Sequence, residues 1–179
     1  MTFINLSLDN PVSRLDETTT GTLITGIGAR FVMEGSAADG RFALVEHPIP
    51  ARGLAAPMHL HTREDEYSLI LEGEWGFQLG ETVVYGKPGD LVYKPRNVWH
   101  TFWNATDQPA RLLEVISPSG FEHFFVELSE LVAAGAPDVM EQLGRLAEQY
   151  GLQLDPASVP GLVARHGLTM SDMPVPAPN

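Results

Sequence analysis

A chain of 179 residues with no cysteine and a formal net charge of −12 at pH 7 is long enough for one domain with a sizeable core. The missing cysteines exclude a disulfide framework, a thiolate metal site and a thiol nucleophile. The acidic balance argues against nucleic acid or an anionic membrane surface as partner, because both need a basic face.

Hydrophobic residues make up 44% of the chain, as expected of a folded soluble domain. The start, Met1-Thr2-Phe3-Ile4-Asn5-Leu6, lacks the basic and apolar regions of a signal peptide. No apolar run reaches the roughly 18–20 residues needed to span a bilayer, so a cytoplasmic location is expected. Residues 1–20 carry few apolar side chains and read as an extended arm. Over residues 21–118 the text is strand-like, with segments near Arg30–Met33, Arg41–His47, Tyr67–Leu71, Trp75–Leu79, Thr82–Tyr85, Asp90–Tyr93, Trp99–Trp103 and Arg111–Ile116. Glycine or proline separates most of them, which predicts an all-β antiparallel sandwich or barrel.

The period changes after Pro118. Ser119 and Glu122 have capping-box spacing, and Phe121, Phe124, Phe125, Leu128, Leu131 and Val132 recur at helical intervals. A second helix is expected over about Asp138–Tyr150, with Gly151 as its stop. A third starts at Asp155 and Pro156 and stops at Gly167. Residues 119–167 therefore read as a C-terminal α-helical extension. Residues 168–179 read as a Pro-rich tail whose end, Met173–Asn179, is unsuited to regular structure.

Two short stretches carry the chemistry. The first runs from Gly53 through Met58-His59-Leu60-His61 and Glu64-Asp65-Glu66 to Gly73. The second runs from Gly89 through Pro95, Asn97 and His100 to Asn104. Imidazole nitrogens and a carboxylate are the donor set of borderline first-row metals. Residues two apart on a strand share a face, so His59 and His61 project together while Leu60 faces away. Phe102 shares the face of His100 by the same rule. Tyr93 and Phe102 are the candidates for pocket lining. Asp65 is less suited to the site than Glu66, and Glu64 reads as a solvated turn residue, with a role as an acid behind the metal ligands left open. His47 and His123 read as structural, and His166 as a helix-end charge. Trp75, Trp99 and Trp103 read as packing on the outer sheet face or at a subunit contact.

The first stretch resembles the first motif of the cupin family: Gly, five residues, His-x-His, a short gap, Glu, six residues, Gly. Gly53, His59, His61, Glu66 and Gly73 match it. The second stretch resembles the second cupin motif at Gly89, Pro95, His100 and Asn104, with Asn97 in place of a glycine. Both residue types tolerate the left-handed turn conformation. The resemblance implies a jelly-roll barrel, the double-stranded β-helix. It also implies that His59, His61, Glu66 and His100 are the ligands of one divalent transition metal, with Fe, Mn, Ni or Co favoured and Zn allowed.

The segment Ser117–Phe125 and the short helical extension look like the small bacterial quercetin 2,3-dioxygenase-like cupins. That likeness implies a dioxygenase acting on a small aromatic or enolic molecule, with Glu66 as ligand and proton acceptor. Two alternatives stay open. One is a non-redox isomerase or polyketide cyclase, the other a metal-dependent binding module without turnover. Exposed sheet edges, with the arm, lead us to expect a homodimer.

Overall fold

The computed structural model describes residues 6, 9, 11–14, 20–23, 26–135 and 138–169. In chain order they form β1 (Thr20–Thr22), β2 (Gly28–Met33), a 3-10 turn (Gly35–Ala38), β3 (Ala43–Ile49), β4 (Met58–His61) and β5 (Asp65–Glu72). Next come β6 (Trp75–Leu79), β7 (Thr82–Gly86), β8 (Leu91–Lys94), β9 (His100–Asn104) and β10 (Ala110–Ser117). The chain continues with α1 (Glu122–Ala134), α2 (Val139–Gln149), β11 (Leu152–Asp155) and α3 (Val159–His166). Among these residues no helix is long and apolar enough to cross a membrane.

The strands build two antiparallel sheets, a six-stranded one in the order β1-β2-β3-β10-β5-β8 and a five-stranded one in the order β11-β4-β9-β6-β7. This is a jelly roll with C-terminal helices. Along β5 and β10 burial alternates residue by residue, the mark of a sheet with one face on the core. Phe31, Val45, Ile70, Phe77, Leu112 and Ile116 fill the space between the sheets. Tight turns link the strands. Gly73 (φ +81°) is one such corner, where an added Cβ would lie 2.6 Å from Ala110 Cβ. Asn97 takes φ +62° between β8 and β9, as its place at a glycine position of the motif requires.

Four expectations need correction. Trp75 is not on the outer face but fully buried between the sheets, in contact with Phe102. The Ser119/Glu122 capping box does not form. The Glu122 carboxylate instead accepts from the Gly35 and Gly120 N–H groups, and α1 starts at Glu122. The region expected to be helical contains a strand, β11, which pairs with β4 as Leu152↔His61 and Leu154↔His59. Its apolar alternation is only two residues long, too short to outweigh the helical signals on either side. The start of the tail is ordered: Leu168 is buried and Thr169 bridges Gly53. Residues 170–179 and most of the arm lie outside the described residues.

Both faces of β4 and β9 are buried. Their outer side chains Met58 and Trp103 pack with Leu54, Leu162 of α3 and Leu168, and their inner side chains include all three motif histidines. The strands that carry the histidines are thus clamped from behind.

Candidate metal centre and its cavity

The register of β4 against β9 sets His59 opposite His100. Their ring centroids are 4.3 Å apart, and His61 lies 5.3 Å from His59 and 5.6 Å from His100. Glu66 enters from β5 in the facing sheet. Its Oε1 is 3.4 Å from His61 Nε2 and its Oε2 is 3.3 Å from His100 Nε2. One ligand atom from each of His59, His61, Glu66 and His100 lies within 4.8 Å of all the others.

The imidazoles are prepared as ligands. His59 Nδ1 is 2.9 Å from the Pro57 carbonyl and His100 Nδ1 is 2.9 Å from the Val98 carbonyl. A carbonyl only accepts, so each Nδ1 carries the proton and each Nε2 presents its lone pair inward. Both His61 nitrogens and His100 Nε2 are buried without a hydrogen-bond partner. Buried polar atoms rarely go unpaired, since each costs about 1–3 kcal/mol. A cation at the focus of the cluster satisfies His61 Nε2 and His100 Nε2 together, while His61 Nδ1 faces Glu64 Oε2 at 3.8 Å.

Electrostatics agree. Burial, then the neighbouring His100, pushes His59 well below its ordinary pKa. Burial also brings His61 down to about 4, so both rings are neutral at pH 7. Burial alone would raise Glu66, but His61, Lys94 and His100 outweigh it and hold the carboxylate ionised well below its usual range. Neutral imidazoles and one carboxylate are what a divalent first-row metal takes.

Behind Glu66 lies a buried polar network with no counterpart in the motif. Lys94, opposite Glu66 in the β5–β8 ladder, places Nζ 2.9 Å from Glu66 Oε2 and 2.7 Å from Glu114 Oε2. Ser68 Oγ donates to Glu114, and Lys94 Nζ sits 4.3 Å from the Phe102 ring centre. One lysine cannot neutralise two carboxylates. Burial, against Lys94 and with Glu66, pushes Glu114 up to about 7. In the chain the only trace of inward polar groups is a polar break in two apolar stripes, and it does not say that Glu114 meets Lys94 or Glu66. On β10 the inward residues run Leu112, Glu114, Ile116, and on β3 they run Val45, His47, Ile49. The expected strand over Asp90–Tyr93 stops one residue short of Lys94.

The other sequence candidates divide. Phe102 lines the cavity. Tyr93 does not: it is 48% exposed and stacks on Tyr67 outside the barrel, because it alternates with inward Lys94. Asp65 points away from the centre and pairs with Arg96 at 2.7 Å. Glu64 is buried rather than solvated, 3.8 Å from His61 Nδ1, and burial followed by Glu66 raises it to about 7. His47 lies within β3 and lines the cavity. His166 stacks on Trp103 at 4.2 Å, and desolvation favours its neutral form over a helix-end charge. Trp99 is 37% exposed and Trp103 is buried under α3.

The metal ligands open into a cavity of about 110 Å³. Its wall is almost wholly apolar, with Ile27, Ala55 and Phe102 from the barrel side and Phe121, Phe124 and Leu128 from the α1 side. The Phe121 ring meets His61 at 4.3 Å, edge to face. Met140, Leu143, Leu152, Leu154 and Pro156 line both this cavity and a groove outside it. The helical region therefore closes over the mouth of the barrel, and α2 and β11 separate the cavity from the groove outside.

Residues 47–116 match the family model described as a cupin domain. No curated protein matches the chain. Among solved structures, a predicted oxalate decarboxylase from Thermotoga maritima is 22% identical, with 60% of this chain and 98% of that one covered at a TM-score of 0.55. A sugar phosphate isomerase of the cupin superfamily from Silicibacter pomeroyi is also 22% identical, covering 60% and 75% at 0.52. The Streptomyces nucleoside dehydratase Pac13 is 14% identical, covering 62% and 84% at 0.51. At these identities the likeness extends to the fold. The chemistries differ from one relative to the next.

Proposed function

We propose, from the premise of a cupin barrel with its domain at residues 47–116, that the chain is a metal-dependent dioxygenase. Its substrate would be a small, largely apolar aromatic or enolic molecule. The observation that carries the reading is the pairing of a His59/His61/Glu66/His100 cluster with a cavity walled by phenylalanines and aliphatic side chains. Sugar phosphates need cationic or hydroxyl-rich walls, and this wall offers neither; Lys94 is bound to its two carboxylates.

A divalent metal, held by His59, His61, Glu66 and His100, would supply Lewis acidity toward a substrate oxygen and, if redox-active, reactivity toward O₂. The chain's own residues do the rest. Phe121, Phe124 and Phe102 hold an aromatic ring and keep water from the centre. Glu66, kept anionic by its neighbours, accepts the proton of the substrate hydroxyl as it docks. Both oxygen atoms of O₂ enter the product, so no outside reductant is required.

A second reading, a non-redox isomerase or cyclase, is favoured by one observation. The Lys94–Glu114–Ser68 network stands ready to exchange protons with Glu66. Elemental mass spectrometry on untagged protein, followed by O₂-uptake assays on flavonols and catechols, tests the choice. Bound Fe, Mn, Ni or Co with O₂ consumption supports the dioxygenase. Bound Zn with turnover under nitrogen moves the assignment to the second reading. No metal after reconstitution overturns both.

A further inference from the structure

His47 is outside the metal centre and outside the Lys94 network, yet it sits in the wall of the same cavity. Its ring is held on two sides. Nδ1 is 2.8 Å from the Gly28 carbonyl on β2, and the Phe125 ring of α1 meets it edge-on at 5.0 Å. The carbonyl can only accept, so the proton is on Nδ1 and Nε2 is left as an acceptor. Among the described residues no donor reaches that nitrogen.

The remaining polar groups of the wall are committed. His59, His61 and Glu66 converge on the metal position. Glu114 accepts from Ser68 and Lys94. We infer that His47 is a specificity-determining residue whose Nε2 accepts a hydrogen bond from a hydroxyl or N–H of the bound molecule. The ligand is then an apolar ring with two polar functions, one oxygen directed to the metal centre and one donor directed to β3. This rests on the small aromatic or enolic substrate argued above. Burial lowers the His47 pKa to about 4, so the ring stays neutral and takes a hydrogen bond rather than a proton. A buried acceptor in an apolar wall discriminates because a ligand without the donor strands it unpaired.

The test uses metal-loaded protein under nitrogen and two probe pairs, resorcinol against 3-methylphenol and hydroquinone against 4-methylphenol. Each pair shares one hydroxyl for the metal and differs only by hydroxyl against methyl at the second position. At least one diphenol is expected to bind about tenfold more tightly than its methyl partner and to shift the Nε2 resonance of His47 in ¹⁵N-histidine-labelled protein. In His47→Phe the ratio of diphenol to methylphenol affinity falls to about one, and His47→Gln regains part of the preference. The NMR shift on the unmutated protein keeps the inference testable if His47→Phe fails to fold. Methylphenols that bind with no diphenol preference, or a preference that survives in His47→Phe, overturn the His47 assignment alone. Failure of every probe to bind overturns the apolar-cavity reading and His47 with it.

Discussion

Each histidine that pairs Nδ1 with a backbone carbonyl has its tautomer set before any metal arrives. The His100 ring turns on the Val98 carbonyl and the His59 ring on Pro57. Changes behind a ligand typically reduce metal affinity by about 10–100-fold, so loss of a ligand should exceed that. His100→Ala is expected to lower affinity by at least about 100-fold, read by elemental mass spectrometry after dialysis. Lys94 is a different case, because its removal leaves Glu66 and Glu114 facing each other without a cation. Lys94→Met is expected to destabilise by about 3–5 kcal/mol in urea unfolding, with much of the loss recovered in Lys94→Met/Glu114→Leu.

Acid sensitivity also belongs to single residues. In metal-free protein His47 and His61 titrate near 4 rather than at their ordinary 6.5. The unfolded chain takes up these protons first, so their stabilisation is complete above about pH 6.5 and lost as pH falls through about 4. Glu64 and Glu114, raised to about 7, act in reverse: their contribution is present below about 4.5 and lost as pH rises through 7. His47→Gln isolates one of these. The fall in stability from pH 6.5 to 4 should shrink by up to about 3 kcal/mol relative to the parent protein.

At the scale of elements, β11 decides more than its four residues suggest, because it completes the sheet beside the strand carrying His59 and His61. Gly151 (φ +68°) turns the chain from α2 into it, and an added Cβ would lie 2.4 Å from Thr62 Oγ1. Gly151→Ala should destabilise by about 1–3 kcal/mol and weaken metal binding, since the strain falls on the end of β4. Leu143 of α2, in the wall between cavity and groove, is expected to control entry. Leu143→Trp should raise KM with little change in kcat. The eight strands read from period-2 alternation and Gly/Pro breaks are all present, with ends shifted by a residue or two. β11 escaped because it offers only two apolar residues, and α1 starts later than its sequence suggests because Glu122 binds the distant Gly35 N–H instead of closing a box with Ser119.

For the whole molecule, the unpaired nitrogens of the centre mean that metal and fold are linked. Stripping the metal should lower apparent stability by about 2.7 kcal/mol where the free metal had stood at 100 times its Kd, measured as a fall in Tm on adding chelator. Among the described residues, four of the six exposed large apolar side chains, Val83, Tyr85, Leu91 and Tyr93, lie on β7 and β8. We propose a homodimer through this end of the barrel. Sedimentation equilibrium showing a single 19.5 kDa species would overturn it.

The barrel class, the helical extension and the quartet His59, His61, Glu66 and His100 were legible in the linear chain, because strand period, turn residues and motif spacing are local properties. The cavity was not, since its two walls come from separate β-strands and from helices that meet only when the chain folds. Nor were the partners of Glu66. Lys94 and Glu114 meet it through the β8–β5–β10 register, and register is settled only when the sheets pack. The same packing turned Tyr93 outward and buried Glu64, because the choice of inward face belongs to the assembled strand and not to its composition.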